Sequence, residues 1–189
     1  MRTWYEWGVS RAATEQLVKW MTSHDPVDER ERESIATFIS VVPALPDPFN
    51  EHADPVHITA SGILASDDAT VTALHLHKRL GMWLQPGGHI EPGESPADGA
   101  LREAAEEIGV PVRHETEGGL LFHVDVHPGP KGHTHLDLRY LLRAPQVTPR
   151  PADGESSQVG WFAWEEAGAM ADAGLAGALR AARALLGKA

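Results

Sequence analysis

Cysteine is absent from the 189 residues, which excludes disulfides, thiolate metal sites and any cysteine nucleophile. Positive charge is scarce. The chain has 16 Lys+Arg against 27 Asp+Glu, a formal net charge of −11 with histidine neutral. Such a chain is poorly suited to grasping a nucleic-acid polymer, which favours a basic face. A single nucleotide carried in with a divalent cation stays compatible with that charge. No apolar run reaches membrane-spanning length, and Met1–Ser10 has no apolar secretion-signal core. No membrane role is therefore expected, and the cytoplasm is the expected compartment. Internal repeats are also lacking, and the only compositional bias is alanine near the C-terminus. What is present is ordinary for a globular chain, 42% hydrophobic and 23% charged, and the length suits one domain or one domain with an extension.

Residues 10–42 read as two helices. Ser10 caps the first, and Ala13, Leu17, Trp20 and Met21 recur on one face. Asp25-Pro26 starts the second as N-cap and first helical residue, and Ile35, Phe38, Ile39 and Val42 form its apolar stripe. The alternating charges from Asp28 to Glu33 read as a solvated face. Pro43, Pro46, Pro48 and Pro55 then enforce an extended connector. Strands are expected over 56–65, 70–77, 82–85, 110–115, 120–127, 133–142 and 159–163, and Ala-rich helical pieces close the chain near 164–172 and 174–186. Three parts follow: an N-terminal helical extension with its Pro-rich connector over 1–50, a main domain over 51–173, and a C-terminal helix packed on it over 174–189.

The chemistry concentrates at residues 88–110, GHIEPGESPADGALREAAEEIGV. A helix over 95–108 has Ser95 as N-cap, Pro96 at its first position, Asp98 completing a capping box and Gly109 as its stop. Leu101, Ala104, Ala105 and Ile108 form its apolar stripe. Glu103, Glu106 and Glu107 share another face at i, i+3 and i+4, where like charges repel. Hard divalent cations relieve such crowding, and Mg²⁺ typically takes one or two carboxylates plus substrate phosphates. Arg102 is the helix's only cation, within reach of Glu106 or of Glu94 in the preceding loop. The Gly87-Gly88 pair permits close backbone approach, and a glycine loop feeding a helix N-terminus suits phosphate. An exposed acidic helix with a capped start would explain neither the glycines nor Glu94.

Gly88, Glu94, Arg102-Glu103-Ala104-Ala105-Glu106-Glu107 and Ile108-Gly109-Val110 resemble the Nudix box, G-x5-E-x7-R-E-U-x-E-E-x-G-U, with Ala104 a small residue at one bulky position. Trp83–Glu91 resembles the strand and loop that lead into the box, and Val159–Phe162 with Glu165-Glu166 resembles the family's late strand and following helix. The resemblance spans about residues 56–170. It implies a three-layer α/β/α sandwich with a mixed β-sheet, here carrying a short N-terminal helical extension. It implies a hydrolase for a nucleoside diphosphate linked to another moiety, dependent on Mg²⁺ or Mn²⁺. By position, Glu106 and Glu107 resemble the principal metal ligands, with the Gly87 carbonyl as a further ligand and Glu103 as ligand or base. Arg102 and Glu94 would orient the carboxylates, and Glu155 is a second choice for the base or an added ligand. Many relatives dimerise, so a homodimer is implied as well.

A hairpin over 120–142 adds a second polar constellation. His123, Asp125 and His127 alternate on one strand, and His133, His135 and Asp137 on the next. With residues 128–132 as the loop, 127 would pair with 133, 125 with 135 and 123 with 137. That face is a wall of the substrate cleft, a second metal site, or a half-solvated sheet face with internal hydrogen bonds. None of His75, His77 and His89 has independent support as a ligand, and His89 is a substrate candidate by its place in the box loop alone. Trp83, Trp161 and Trp164 are candidates to stack on a base, though aromatics more often serve the core. A nucleotide-binding sensor on the same fold is the competing class, and the intact box carboxylates argue against it. An isopentenyl diphosphate isomerase, which shares the fold, would need a cysteine.

Overall fold

A computed structural model describes residues 4–187, and the side chains of 4–10 lie outside that description. Helix α1 (Trp4–Ser23) begins ahead of Ser10, so Ser10 lies inside it and is not its cap. Helix α2 (Glu29–Val41) is capped by Asp28, which accepts from the Glu31 N–H at 3.0 Å, and not by Asp25 as the Asp-Pro signal suggests. The later start follows from Glu31. Its carboxylate is buried, and it accepts from the N–H groups of Val27 at 2.7 Å and Val124 at 3.1 Å. The charge run is therefore only partly solvated. Glu31 turns inward, and Arg30 reaches Asp125 across the domain at 2.7 and 3.2 Å.

The sheet explains why a charge is drawn inside. Its strands are β1 (Val56–Ser66), β2 (Val71–Leu76), β3 (Trp83–Leu84), β4 (Gly87–His89), β5 (Arg113–His114), β6 (Leu120–Pro128), β7 (Thr134–Ala144) and β8 (Val159–Ala163). β1 and β7 run parallel in register from Val56↔Thr134 to Ser66↔Ala144. The other pairings are antiparallel: β2 and β4 on β1, β3 and β8 on β2, and β5 and β6 on β7. β6 is an edge, and its outward N–H groups at Val124 and Val126 would be left unpaired. Glu31 and the Ser34 hydroxyl, at 3.1 Å from each, take them up, so α2 covers an edge that would otherwise invite further strand addition.

Helix α3 (Pro96–Ile108) packs with Ala60, Leu136, Leu138 and Leu142 on one side of the sheet. Helices α4 (Trp164–Met170) and α5 (Ala173–Leu186) bring Leu175, Ala178 and Leu179 against Ile63, Leu74 and Leu141 on the other. This is a mixed sheet between helical layers. β1 is buried along almost its whole length, so it lacks the polar alternation of a one-sided strand. The strand expected over 110–115 shrinks to Arg113–His114. No helix among the described residues is long and apolar enough to cross a membrane.

The β6–β7 register differs from the expected one by two residues. His127 lies opposite His135, Asp125 opposite Asp137 and His123 opposite Arg139. β6 continues to Pro128, which pairs with Thr134, and the turn is a short 3-10 segment at Pro130–Gly132 with left-handed Lys131 (φ 58°) and Gly132 (φ 79°). A shift by an even number preserves which face each side chain occupies. The polar face therefore stands, but Arg139 joins it.

Candidate active site

The ends of α3 are set by local chemistry. Ser95 accepts from the Asp98 N–H at 3.2 Å, Pro96 opens the helix, and Gly109 closes it at φ 68°. No side chain fits at Gly109, because a Cβ would run into the Arg150 carbonyl. The buried side of α3 is shifted from the one the apolar pattern implies. Ala97, Ala100, Ala104 and Ile108 are buried, Leu101 is half-buried and Ala105 is exposed. Small residues on that side bring the helix close to the sheet. Glu103 and Glu107 consequently lie half-buried, with side chains 18% and 12% exposed, while Glu106 is 50% exposed.

Arg102 organises this face. Its guanidinium donates to both Glu94 oxygens at 2.9 and 3.0 Å, to the His89 carbonyl at 2.9 Å, to Glu103 Oε1 at 2.8 Å and to Glu106 Oε2 at 3.4 Å. One planar fork thus ties the loop to the helix. Burial works against the charge on Glu94, but hydrogen bonds from Arg102 and the Glu91 N–H outweigh it and hold the carboxyl below its ordinary value. Glu103 goes the other way: burial raises it, Arg102 opposes, and the charges of Glu106 and Glu155 add to the rise. Glu107 is pushed up to about 8, first by burial and then by the charges of Glu103, Glu155 and Glu106, against a stabilising Gly87 N–H at 2.9 Å. At Gly88 the backbone comes so near that a Cβ would sit 2.5 Å from Glu103 Oε1.

These donors fit a hard cation. The crowded carboxylates supply oxygen ligands, and the raised Glu107 is a group whose charge a cation would stabilise. Glu103, Glu106 and Glu107 could hold Mg²⁺ or Mn²⁺. Their ligand oxygens do not yet converge within 4.8 Å of one another, in keeping with mutual repulsion and with the pull of Arg102.

Two cavities open beside this face. One, of about 220 Å³, brings Glu107 and Glu155 together with His75, His77, Lys78 and Arg79. Ser156 pins the Glu155 loop to β2 by donating to the Leu76 carbonyl at 2.7 Å. His75 Nδ1 lies 3.6 Å from Glu107 Oε1, a juxtaposition that chain position alone does not reveal. Burial, and then the charge of His77, lower His75 to about 4. The other cavity, a cleft of about 590 Å³, is lined by Gly87, Gly88, His89, Asp125, His135 and Asp137, with Arg30 at one side and an apolar lip of Leu80, Met82 and Leu84.

The hairpin constellation divides between these surroundings. Asp125, His135 and Asp137 reach the cleft, whereas His123 and His133 are outside its lining. His123 is buried beneath α5, its Nε2 4.0 Å from Glu31. Asp137 accepts from Ser61 at 2.7 Å, Thr59 at 3.1 Å and Arg139 Nε at 3.0 Å, and Asp125 from Arg30 and Arg139. Burial disfavours both aspartates' charges. Their hydrogen-bonded and cationic neighbours outweigh it and hold both carboxyls below the ordinary value. The face is therefore a buried charge network and not a solvated one. Among the described residues, no tryptophan lines either cavity. Trp83 packs edge-on against Phe162, while Trp161 and Trp164 donate to the Val147 and Ala69 carbonyls at 2.9 Å each. Arg30, His57 and the Leu80–Leu84 lip were not singled out from sequence. The alternation of His57, Thr59 and Ser61 along β1 was the available signal for His57.

The profile of the NUDIX domain family matches residues 55–183. A probable DHNTP pyrophosphohydrolase of Lactococcus lactis is 33% identical over 94 residues, which cover 46% of this chain and 54% of that protein, so the match spans about half its length. A NUDIX-family hydrolase from Clostridium perfringens superposes with TM-score 0.57 at 28% identity, covering 69% of this chain and 97% of that one. A C. elegans Ap4A hydrolase superposes with TM-score 0.59 at 20% identity, covering 70% and 98%, a likeness of fold.

Proposed function

The chain belongs to the NUDIX domain family, and from that premise we propose that it is a divalent-metal-dependent hydrolase cleaving the diphosphate linkage of a nucleoside diphosphate joined to another moiety. The observation that carries this reading is the half-buried carboxylate pair Glu103 and Glu107, the first tied by Arg102 to Glu94, the second held by the Gly87 N–H, and both set against Gly87-Gly88 beside a substrate-sized cleft. The pyrophosphohydrolase name of the L. lactis relative supports the reaction class.

In this reading Glu106, Glu107 and the Gly87 carbonyl hold the cation, with Glu103 beside them. When bound, Mg²⁺ or Mn²⁺ lowers the pKa of water and takes up charge on phosphate oxygens. The chain supplies positioning and a proton acceptor. Arg102 occupies Glu103 Oε1 and leaves Oε2 to take the proton of the attacking water. In the metal-free fold burial raises that carboxyl, against the pull of Arg102. Glu155, next to Glu107 in the smaller cavity, is the alternative acceptor. Glu94 grips the guanidinium with both oxygens and so fixes where it meets Glu103 and Glu106. His89, His135, Asp125 and Asp137 face the rest of the substrate.

The test is a panel of nucleoside diphosphate derivatives, incubated with the full chain and Mg²⁺ or Mn²⁺ and assayed for released phosphate groups. Turnover that stops in excess chelator is expected. Tight nucleotide binding without turnover across the panel would replace the hydrolase reading with that of a sensor.

A further inference from the structure

The most unusual cluster outside the carboxylate helix is a triangle of histidines. The parallel register of β1 and β7 sets His57 beside His135, and the β1–β4 pairing sets His89 opposite Thr59. Ring centroids are 5.1 Å apart for His57–His89 and His57–His135, and 5.4 Å for His89–His135. The planes are tilted or edge-on and none is stacked, so flat ring packing does not account for the grouping. Each residue offers a ring nitrogen within 4.8 Å of the other two, a spacing that no other trio of His, Cys, Asp or Glu among the described residues achieves.

The nitrogens are also left without work. The Nε2 atoms of His57, His89 and His135 are all buried and lack a hydrogen-bond partner, and His57 is 0% exposed. Buried polar atoms are nearly always satisfied, so three orphaned nitrogens on three adjoining rings call for a common occupant. The far sides of two rings are engaged as metal-bound histidines are. His57 Nδ1 lies 3.2 Å from the Asp54 carbonyl, and His89 Nδ1 lies 3.5 Å from Glu51 Oε2. The Asp54 hydrogen bond favours the His57 tautomer that leaves Nε2 free to ligate, and Glu51 lies where it would favour the same one in His89. Gly129 completes the cradle, since any Cβ there would overlap the His135 ring.

We propose that His57, His89 and His135 form a site for a borderline first-row divalent cation such as Zn²⁺, bound through imidazole nitrogens and separate from the carboxylate helix. The donor chemistry separates the two sites. Imidazole suits Zn²⁺, Ni²⁺ and Cu²⁺, whereas Mg²⁺ prefers oxygen. Zn–N bonds of about 2.1 Å in a tetrahedral site place the nitrogens about 3.4 Å apart. The rings need only a modest inward adjustment from their present spacing. His89 and His135 line the cleft, so the fourth coordination position opens toward it and is available to water or to a substrate oxygen. The ligands come from β1, β4 and β7, and Asp54 and Glu51 belong to the connector ahead of β1. Occupancy would therefore also tie that connector to the sheet.

The test uses the full chain, stripped of metal and titrated with Zn²⁺ in excess Mg²⁺ by calorimetry, then with Co²⁺ by visible absorption. One equivalent of Zn²⁺ is expected, with Co²⁺ bands of tetrahedral intensity and a Zn²⁺-dependent rise in Tm. His89→Ala and His135→Ala, each checked for native circular dichroism, should weaken binding at least about tenfold, and Glu106→Gln should retain it. The proposal is overturned if the parent chain takes up no Zn²⁺ in excess Mg²⁺. It is equally overturned if the folded histidine variants bind as the parent does, or if Glu106→Gln alone abolishes binding. The outcome does not depend on catalysis, so it is distinguishable from failure of the hydrolase reading.

Discussion

Replacing Arg102 by alanine should cost more stability than any other exchange of a charged residue on α3, and the loss should fade in acid. The guanidinium is 23% exposed and its principal partner, Glu94, 14%, so neither is freely solvated. Its removal leaves Glu103 and the His89 carbonyl without the Arg102 donor and Glu94 with only the Glu91 N–H. Breaking a largely buried, hydrogen-bonded pair by deleting one partner costs about 3–5 kcal/mol. We take about 3, because this face borders solvent. At about 2–4 °C per kcal/mol for a chain of this size, Tm should fall by roughly 6–12 °C near neutral pH. The sign of the pH dependence is set by both carboxylates. Glu94 is held below its ordinary value in the fold, so the parent gains stability from it above the unfolded value, about 4.3, and loses that gain as pH falls through the folded value. In the variant, Glu94 keeps only the Glu91 N–H and Glu103 loses its cationic partner, so the charged form of each is less favoured and protonation relieves both. The difference in Tm between parent and variant, followed by circular dichroism in chelator from about pH 7.5 to about pH 4, should therefore shrink. Arg102→Lys should recover only part of the loss, because an ammonium cannot hold both Glu94 oxygens and the His89 carbonyl in one plane. A constant offset in Tm across that range, or a loss below about 2 °C at neutral pH, would refute the argument that Arg102 acts through these carboxylates.

Three further outcomes are expected. Mg²⁺ should raise thermal stability, by about 2.7 kcal/mol at a hundred times its Kd, and turnover should vanish in chelator; undiminished turnover there would remove the metal from the reaction. Glu106→Gln should keep the fold, because Glu106 lies off the buried side of α3, while lowering kcat by two or more orders of magnitude; a near-parental rate in a folded variant would exclude it. Glu107, raised to about 8 in the metal-free fold, binds more protons folded than unfolded between about pH 4.3 and about pH 8, so stability in chelator should decline as pH rises through that window. Glu107→Gln should flatten that decline and abolish the Mg²⁺-dependent rise in Tm, and a parental slope in thermal scans would contradict the cause given for the shift.

What the sequence determined by itself is what short-range chemistry controls. The span of α3 could be read because Ser95, Pro96 and Gly109 act within one turn of its ends, and the spacing of Glu94, Arg102, Glu103, Glu106 and Glu107 carried the family resemblance. Strand existence and the polar face of the β6–β7 hairpin could be read because alternation is a property of each strand alone. Contacts distant in sequence decided the rest. α2 starts at Glu29, as burying Glu31 against the β6 edge satisfies N–H groups that the local Asp25-Pro26 signal does not know of. The hairpin register was set by how the 129–133 turn closes, and patterning cannot distinguish registers that differ by two. Ala105 is exposed and Ala100 buried because the sheet chooses which side of α3 it approaches. His57, His89 and His135 are far apart along the chain, in a strand, in the box loop and in the hairpin, and nothing local to any of them signals the other two. Only the parallel pairing of β1 with β7 and the antiparallel pairing of β1 with β4 bring their nitrogens to one point, because strand pairing transmits register between segments that share no local sequence signal.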